Sequence, residues 1–165
     1  LPFLVNEKGI STPNYPAQKG ELVYHYSNIS PFKRLFSYGF FSEETIVFSI
    51  PFTINIPDIG INISCKGIGL QDDSMKIEKS ANNIILEGLP IADRNNPRLP
   101  YNYFDEILKK IGHRNIAQDL LLKIFQLNIS TRKKIIDESQ LINNEVAKSL
   151  TKVMTYEISL IPSHN

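Results

Sequence analysis

Tyr24, Tyr26 and Tyr38, with Phe40 beside them, are the side chains of this chain best placed to do chemistry. They stand in the run Lys19-Gly20-Glu21-Leu22-Val23-Tyr24-His25-Tyr26 and its continuation to Tyr38-Gly39-Phe40, where Tyr26 and Tyr38 are twelve residues apart. A phenol hydroxyl is carried on a stiff ring, both donates and accepts hydrogen bonds, and is uncharged near neutral pH. It can orient a reacting polar group without adding charge, and positioning of that kind supplies much of a catalytic effect. The plainer expectation is four core aromatics, the three tyrosine hydroxyls among them finding a partner at the edge of the core.

Other constellations are weaker. His25, His113 and His164 lie far apart and lack carboxylate or cysteine neighbours at metal-ligand spacing, so no metal site is expected. Asp72-Asp73 lacks the alternating oxygen ligands of a calcium loop. Gly67-Ile68-Gly69 is too short for a phosphate cradle. Arg132-Lys133-Lys134 reads as a solvated helix face. Cys65 is the only cysteine, which excludes an intrachain disulfide and fits a reducing compartment. The sequons at Asn28, Asn62 and Asn128 carry little weight in a chain this rich in Asn and Ser.

The elements that would position these residues follow from periodicity and punctuation. Phe3 to Val5 is a short apolar run, and Gly9 to Gly20, with Pro13 and Pro16, reads as a loop. Leu22 to Tyr26 alternates as a half-buried strand does, and a short helical turn precedes Tyr38. β-prone runs follow at Thr45 to Ile54, Ile59 to Ser64, and Ser74 to Leu86 with a turn at Ala81-Asn82-Asn83. Gly88 to Pro100 reads as a linker. Beyond it the pattern becomes helical. One face carries Tyr101, Phe104, Leu108 and Ile111, closed by Gly112. A second carries Ala117, Leu120, Leu121, Ile124 and Phe125. Ser130 or Thr131 is expected to cap a third helix through Ile135 and Ile136. Asn143 or Asn144 should cap a fourth, with Val146, Ala147, Leu150, Val153, Met154 and Ile158 on its stripe and Pro162 ending it. Three or four such helices form a bundle.

The run from Lys19 to Phe40 resembles the C-terminal end of a SET domain, the catalytic unit of many protein-lysine methyltransferases. In the branch related to the Rubisco large-subunit methyltransferase, a Lys-Gly-Glu turn leads into a strand ending in the catalytic tyrosine, and a short helix then leads to Tyr-Gly-Phe. The resemblance implies that Tyr26 is the catalytic residue, that Tyr38 lines the lysine channel, and that Phe40 forms a wall near the cofactor, S-adenosylmethionine. Ser27 replaces the usual glycine after the catalytic tyrosine, and Pro31 stands where asparagine is common. The interval from Gly20 is one residue short, which makes Tyr24 the rival for the catalytic or channel position. The early cofactor-binding glycine motif and the Asn-His motif of the SET core are not in these 165 residues. The chain is therefore expected to be an excerpt of a longer protein, inactive by itself.

The fold class expected is α+β: a small β-rich SET-core remnant over 1–44, a β-rich connection and linker over 45–100, and a helical substrate-binding domain over 101–165. The resemblance implies a protein-lysine N-methyltransferase acting on a non-histone protein, such as a ribosomal protein, a translation factor or cytochrome c. The alternative is a non-catalytic protein-interaction module. A net charge of +1 gives no reason to expect direct nucleic-acid binding. No apolar run reaches the roughly 18–20 residues that a membrane-spanning helix needs. The compartment expected is the cytoplasm first and the nucleus second.

Overall fold

The computed structural model describes residues 3–5, 11–13, 30–40, 46–67, 77–80, 82–113 and 115–162. Tyr24, Tyr26, His25, His164, Asn28 and Asp72-Asp73 lie outside the described residues. The fold is α+β, and the described elements place strands and one short helix before three longer helices.

Strands β1 (Phe3–Val5) and β2 (Ser11–Pro13) form an antiparallel pair, so the stretch read as a loop from Gly9 to Gly20 contains a strand. Helix α1 (Pro31–Tyr38) is stopped cleanly at both ends. The Ser30 side chain accepts from the Lys33 amide at 3.1 Å, and Pro31 occupies the first helical position, where its missing N–H costs nothing. Gly39 closes the helix at φ +78°, a left-handed conformation that suits glycine, with its N–H on the Leu35 carbonyl at 2.8 Å.

The run expected as one strand from Thr45 to Ile54 is two. β3 (Ile46–Phe48) pairs with β8 (Pro90–Asp93), and β4 (Phe52–Ile56) pairs with β5 (Ile61–Cys65). A corner at Ser49, Ile50 and Pro51 separates them, where the proline cannot donate to a ladder. β5 runs parallel to β7 (Asn83–Leu86), and β6 (Ile77–Ser80) flanks β7 antiparallel, giving the order β4-β5-β7-β6. One face of this sheet buries Phe52, Ile63, Cys65, Ile84 and Leu86. The other face is polar. There Thr53 meets Ser64 at 3.0 Å, and Asn55, Asn62 and Asn83 form a hydrogen-bonded ladder at 2.7 and 3.0 Å. Asn62 is thus a sheet residue with its amide engaged.

The stretch read as a linker from Gly88 to Pro100 is not one. Leu89 and Ile91 are fully buried, and β8 pairs with β3 over its length. Helix α2 (Leu99–Lys110) packs on β8. It ends in a Schellman arrangement: Gly112, at φ +88°, donates to the Lys109 carbonyl and His113 to that of Leu108. Helix α3 (Ala117–Gln140) is a single element of 24 residues, where two helices were expected. Ser130 does not cap. Its hydroxyl donates to the Leu127 carbonyl one turn back at 2.9 Å, so the residue that suggested a break is accommodated within the helix. Helix α4 (Glu145–Leu160) starts at Asn144, whose side chain accepts from the Ala147 amide at 2.8 Å. Its buried face comprises Ala147, Val153, Met154 and Glu157; Val146, expected on that stripe, is exposed.

One core joins the strands and helices. Val47, Ile63, Leu86, Leu89 and Ile91 pack with Phe104, Leu108, Leu121 and Ile124, so the boundary drawn at residue 100 does not separate two cores. No described helix is long and apolar enough to cross a membrane.

Gly67 follows β5 at φ +109°, and a Cβ there would lie 2.6 Å from Cγ of Pro51 in the β3–β4 corner. Gly67→Ala therefore combines backbone strain with a clash, at about 2 kcal/mol. A thermal melt should show the midpoint falling by roughly 5 °C.

Candidate functional site

Two of the four candidate residues are described, and both sit at the end of α1. Tyr38 is its last residue and Phe40 follows Gly39; they are 53% and 40% exposed, with ring centroids 6.5 Å apart. The left-handed Gly39 turns the chain, and the two rings lie on either side of it, tilted by 42°. Next to this turn a groove of about 330 Å³ lies between α1 and the first turns of α4, lined by Leu35, Phe36 and Gly39 on one side and Val146, Ser149 and Leu150 on the other. Phe36 and Val146 are 65% and 69% exposed, so two large apolar side chains stand on the lip of the groove, with the Glu145 carboxylate beside them. Exposed large apolar side chains that sit together in this way mark a surface suited to binding.

A buried polar network that the sequence pattern did not reveal reaches the first turn of α1. Arg132 of α3 is 1% exposed and Glu157 of α4 is fully buried. Arg132 Nε donates to Glu157 Oε2 at 2.8 Å, Nη1 to Asn128 Oδ1 at 2.6 Å, and Nη2 to the Phe48 carbonyl at the end of β3 at 2.9 Å. Glu157 Oε1 accepts from the Phe32 amide in the first turn of α1 at 3.2 Å. Asn128 uses its whole amide. Oδ1 also accepts from the Ile50 amide at 2.9 Å, and Nδ2 donates to Ser49 Oγ at 2.9 Å and to the Ile124 carbonyl at 2.8 Å. Full satisfaction is what makes such a cluster tolerable in low dielectric. Burial pushes the Glu157 carboxyl upward, and the Arg132 charge and its hydrogen bond pull the other way.

Arg132 was expected on a solvated basic face; only Lys133 and Lys134 are exposed. The signal was present in the spacing. Leu121, Ile124, Phe125, Asn128 and Arg132 continue one stripe at three- and four-residue steps. Likewise Ala147, Leu150, Met154, Glu157 and Ile161 form one stripe in α4. A polar residue on a buried stripe needs a partner, and here the two stripes supply it to each other.

Two further groups could carry chemistry. Cys65 is a buried free thiol whose pKa burial raises. The Tyr103 hydroxyl, on α2, is buried without a hydrogen-bond partner among the described residues. Its pKa is pushed up to about 12, first by burial and then by the nearby Cys65. Neither faces the α1 groove. Among the described residues no group of three His, Cys, Asp or Glu side chains is gathered as a metal site.

No family model, no curated protein and no solved structure matches the chain.

Replacing Asn128 by Leu keeps volume while stripping partners from the Ile50 amide, Ser49 Oγ and Arg132 Nη1. Urea unfolding should show a loss of about 3 kcal/mol. Tyr103 has a folded pKa above the ordinary value of 10, so its contribution is complete below pH 10 and lost as pH rises toward 12. In pH-dependent melts, Tyr103→Phe should lose less stability over that interval than the parent chain.

Proposed function

We propose that the chain is the C-terminal part of an S-adenosylmethionine-dependent protein-lysine N-methyltransferase acting on a non-histone protein. In this reading Tyr26 is the catalytic tyrosine, with Tyr24 its rival for that position, Tyr38 and Tyr24 line the lysine channel, and Phe40 stands near the methyl donor. The observation that carries it is the short helix α1. Ser30 and Gly39 stop it at both ends, and it delivers Tyr38-Gly39-Phe40 as a fixed turn at the surface, the order of elements that the SET resemblance calls for.

S-adenosylmethionine, when bound, supplies a methyl group on a sulfonium. Among the described residues Phe40 and Tyr38 offer exposed rings but line no cavity with convergent polar groups, so these residues by themselves do not form a site for it. Within the described part, the contribution assigned to this chain is to hold the tyrosine-bearing turn and to present an apolar groove beside it to a protein substrate. Ribosomal proteins, translation factors and cytochrome c are the substrate classes that the resemblance suggests. The cytoplasm is the compartment proposed, with the nucleus second.

The second reading, a non-catalytic protein-interaction module, draws on the exposure of Phe36 and Val146, which a binding surface explains without catalysis. The sequence preceding Leu1 in the natural protein separates the two: an Asn-His segment supports the enzyme, and its absence supports the module. In a protein carrying that segment, Tyr26→Phe should lower labelled methyl transfer about a hundredfold with an unchanged melting curve. Tyr24→Phe should leave turnover close to the parent value. Full activity of Tyr26→Phe removes the catalytic assignment.

A further inference from the structure

We propose that Glu157 is the latch that sets α1 against α4, and that the Arg132–Glu157 pair serves this positioning rather than the stability of the core. The proposal does not rest on the methyltransferase reading.

The two oxygens of Glu157 have separate tasks. Oε2 takes Arg132 Nε at 2.8 Å, deep between α3 and α4, and Oε1 takes the Phe32 amide at 3.2 Å. Phe32 is in the first turn of α1, where backbone N–H groups have no partner within the helix and where a negative charge is favoured by the helix dipole. The carboxylate therefore grips α1 by an end that could otherwise go unpaired. The apolar packing of α1 on α4 is nondirectional and would tolerate sliding or rolling. A hydrogen bond to a rigidly held carboxylate would not. Arg132 makes the carboxylate rigid, since it is itself tied to Asn128 and to the Phe48 carbonyl.

Energetics separate positioning from stability. A buried ion pair roughly offsets its own desolvation, and well-packed apolar residues of similar size often replace it without loss. Apolar residues cannot replace the bonds of Arg132 to Asn128 Oδ1 and the Phe48 carbonyl, nor the second acceptor oxygen aimed at α1, and only the last of these bears on α1. The consequence reaches the surface, because Leu35, Phe36 and Gly39 form one wall of the 330 Å³ groove. Both that wall and the turn carrying Tyr38 and Phe40 take their place from Glu157.

The test is amide hydrogen exchange in the 165-residue chain. Arg132→Met/Glu157→Leu should still melt cooperatively, with a stability loss no larger than that expected of Asn128→Leu, because the Phe48 carbonyl and Asn128 Oδ1 each lose a donor. Its Phe32 amide, and those of Leu35 to Tyr38, should exchange at least about tenfold faster, while amides of β5 and β7 keep their parent rates. Glu157→Gln gives a second reading. An amide has one acceptor oxygen where a carboxylate has two, and Arg132 claims it, so the Phe32 amide should again exchange about tenfold faster. Parent-like protection of α1 in either folded variant overturns the proposal. So does a double variant without a cooperative melt, since the pair would then be a stability element.

Discussion

Arg132 and Glu157 face each other at 2.8 Å where water does not reach, and every element that meets near them is tied to one or the other. Arg132 reaches from α3 to the carbonyl of Phe48, and Asn128 one turn earlier takes the Ile50 amide, so both ends of the β3–β4 corner are held by the same helix. Glu157 carries the tie onward to α1. An unpaired charge in that place would cost several kcal/mol, which means the helices and the corner must assemble in the one arrangement that pairs it. The apolar core attracts without direction; this network supplies the direction.

That division shows in the sheet and in the helices. The inner face of β4-β5-β7-β6 is almost wholly apolar and sits on a core shared with α2 and α3. Its outer face needs no packing partner, because Thr53, Ser64 and the Asn55–Asn62–Asn83 ladder satisfy one another. β8, which lies between the strands and α2 in sequence, carries Ile91 into the middle of the core, and Leu89 just before it is buried there too. The helical half and the strand half are therefore one packing unit from residue 46 onward.

Helix α1 stands apart from this unit in how it is held. The Phe32–Glu157 bond ties its first turn to α4, and its exposed end presents Phe36, Tyr38 and Phe40 beside a groove. A short, well-capped helix with an apolar exposed end is a means of presenting a surface. That is compatible with a tyrosine-bearing turn at a channel mouth and with a protein-docking face, the two functional readings advanced above.

Local chemistry was legible wherever a residue acts through its own neighbours. The short helical turn closed at Gly39, the cap at Asn143 or Asn144, the Gly112 stop and the β-prone run from Ile59 to Ser64 match α1, α4, α2 and β5, because caps, turns and periodicity are properties of short windows. Long-range pairing was not legible. Ser130 looked like a helix start, since a hydroxyl that caps and one that bonds back to Leu127 occupy the same sequence position. Gly88 to Pro100 looked like a linker because its prolines and asparagines hide the two residues, Leu89 and Ile91, whose burial depends on β3. Arg132 looked solvated because its partners are Glu157, 25 residues on, and the Phe48 carbonyl, 84 residues back. The sequence alone settled the turns that close α1 and α2, the start of α4 and the apolar stripe of most of the helices. Only the tertiary structure decided which buried charge meets which, since that choice depends on the desolvation of both partners at once, and desolvation exists only after the chain has packed.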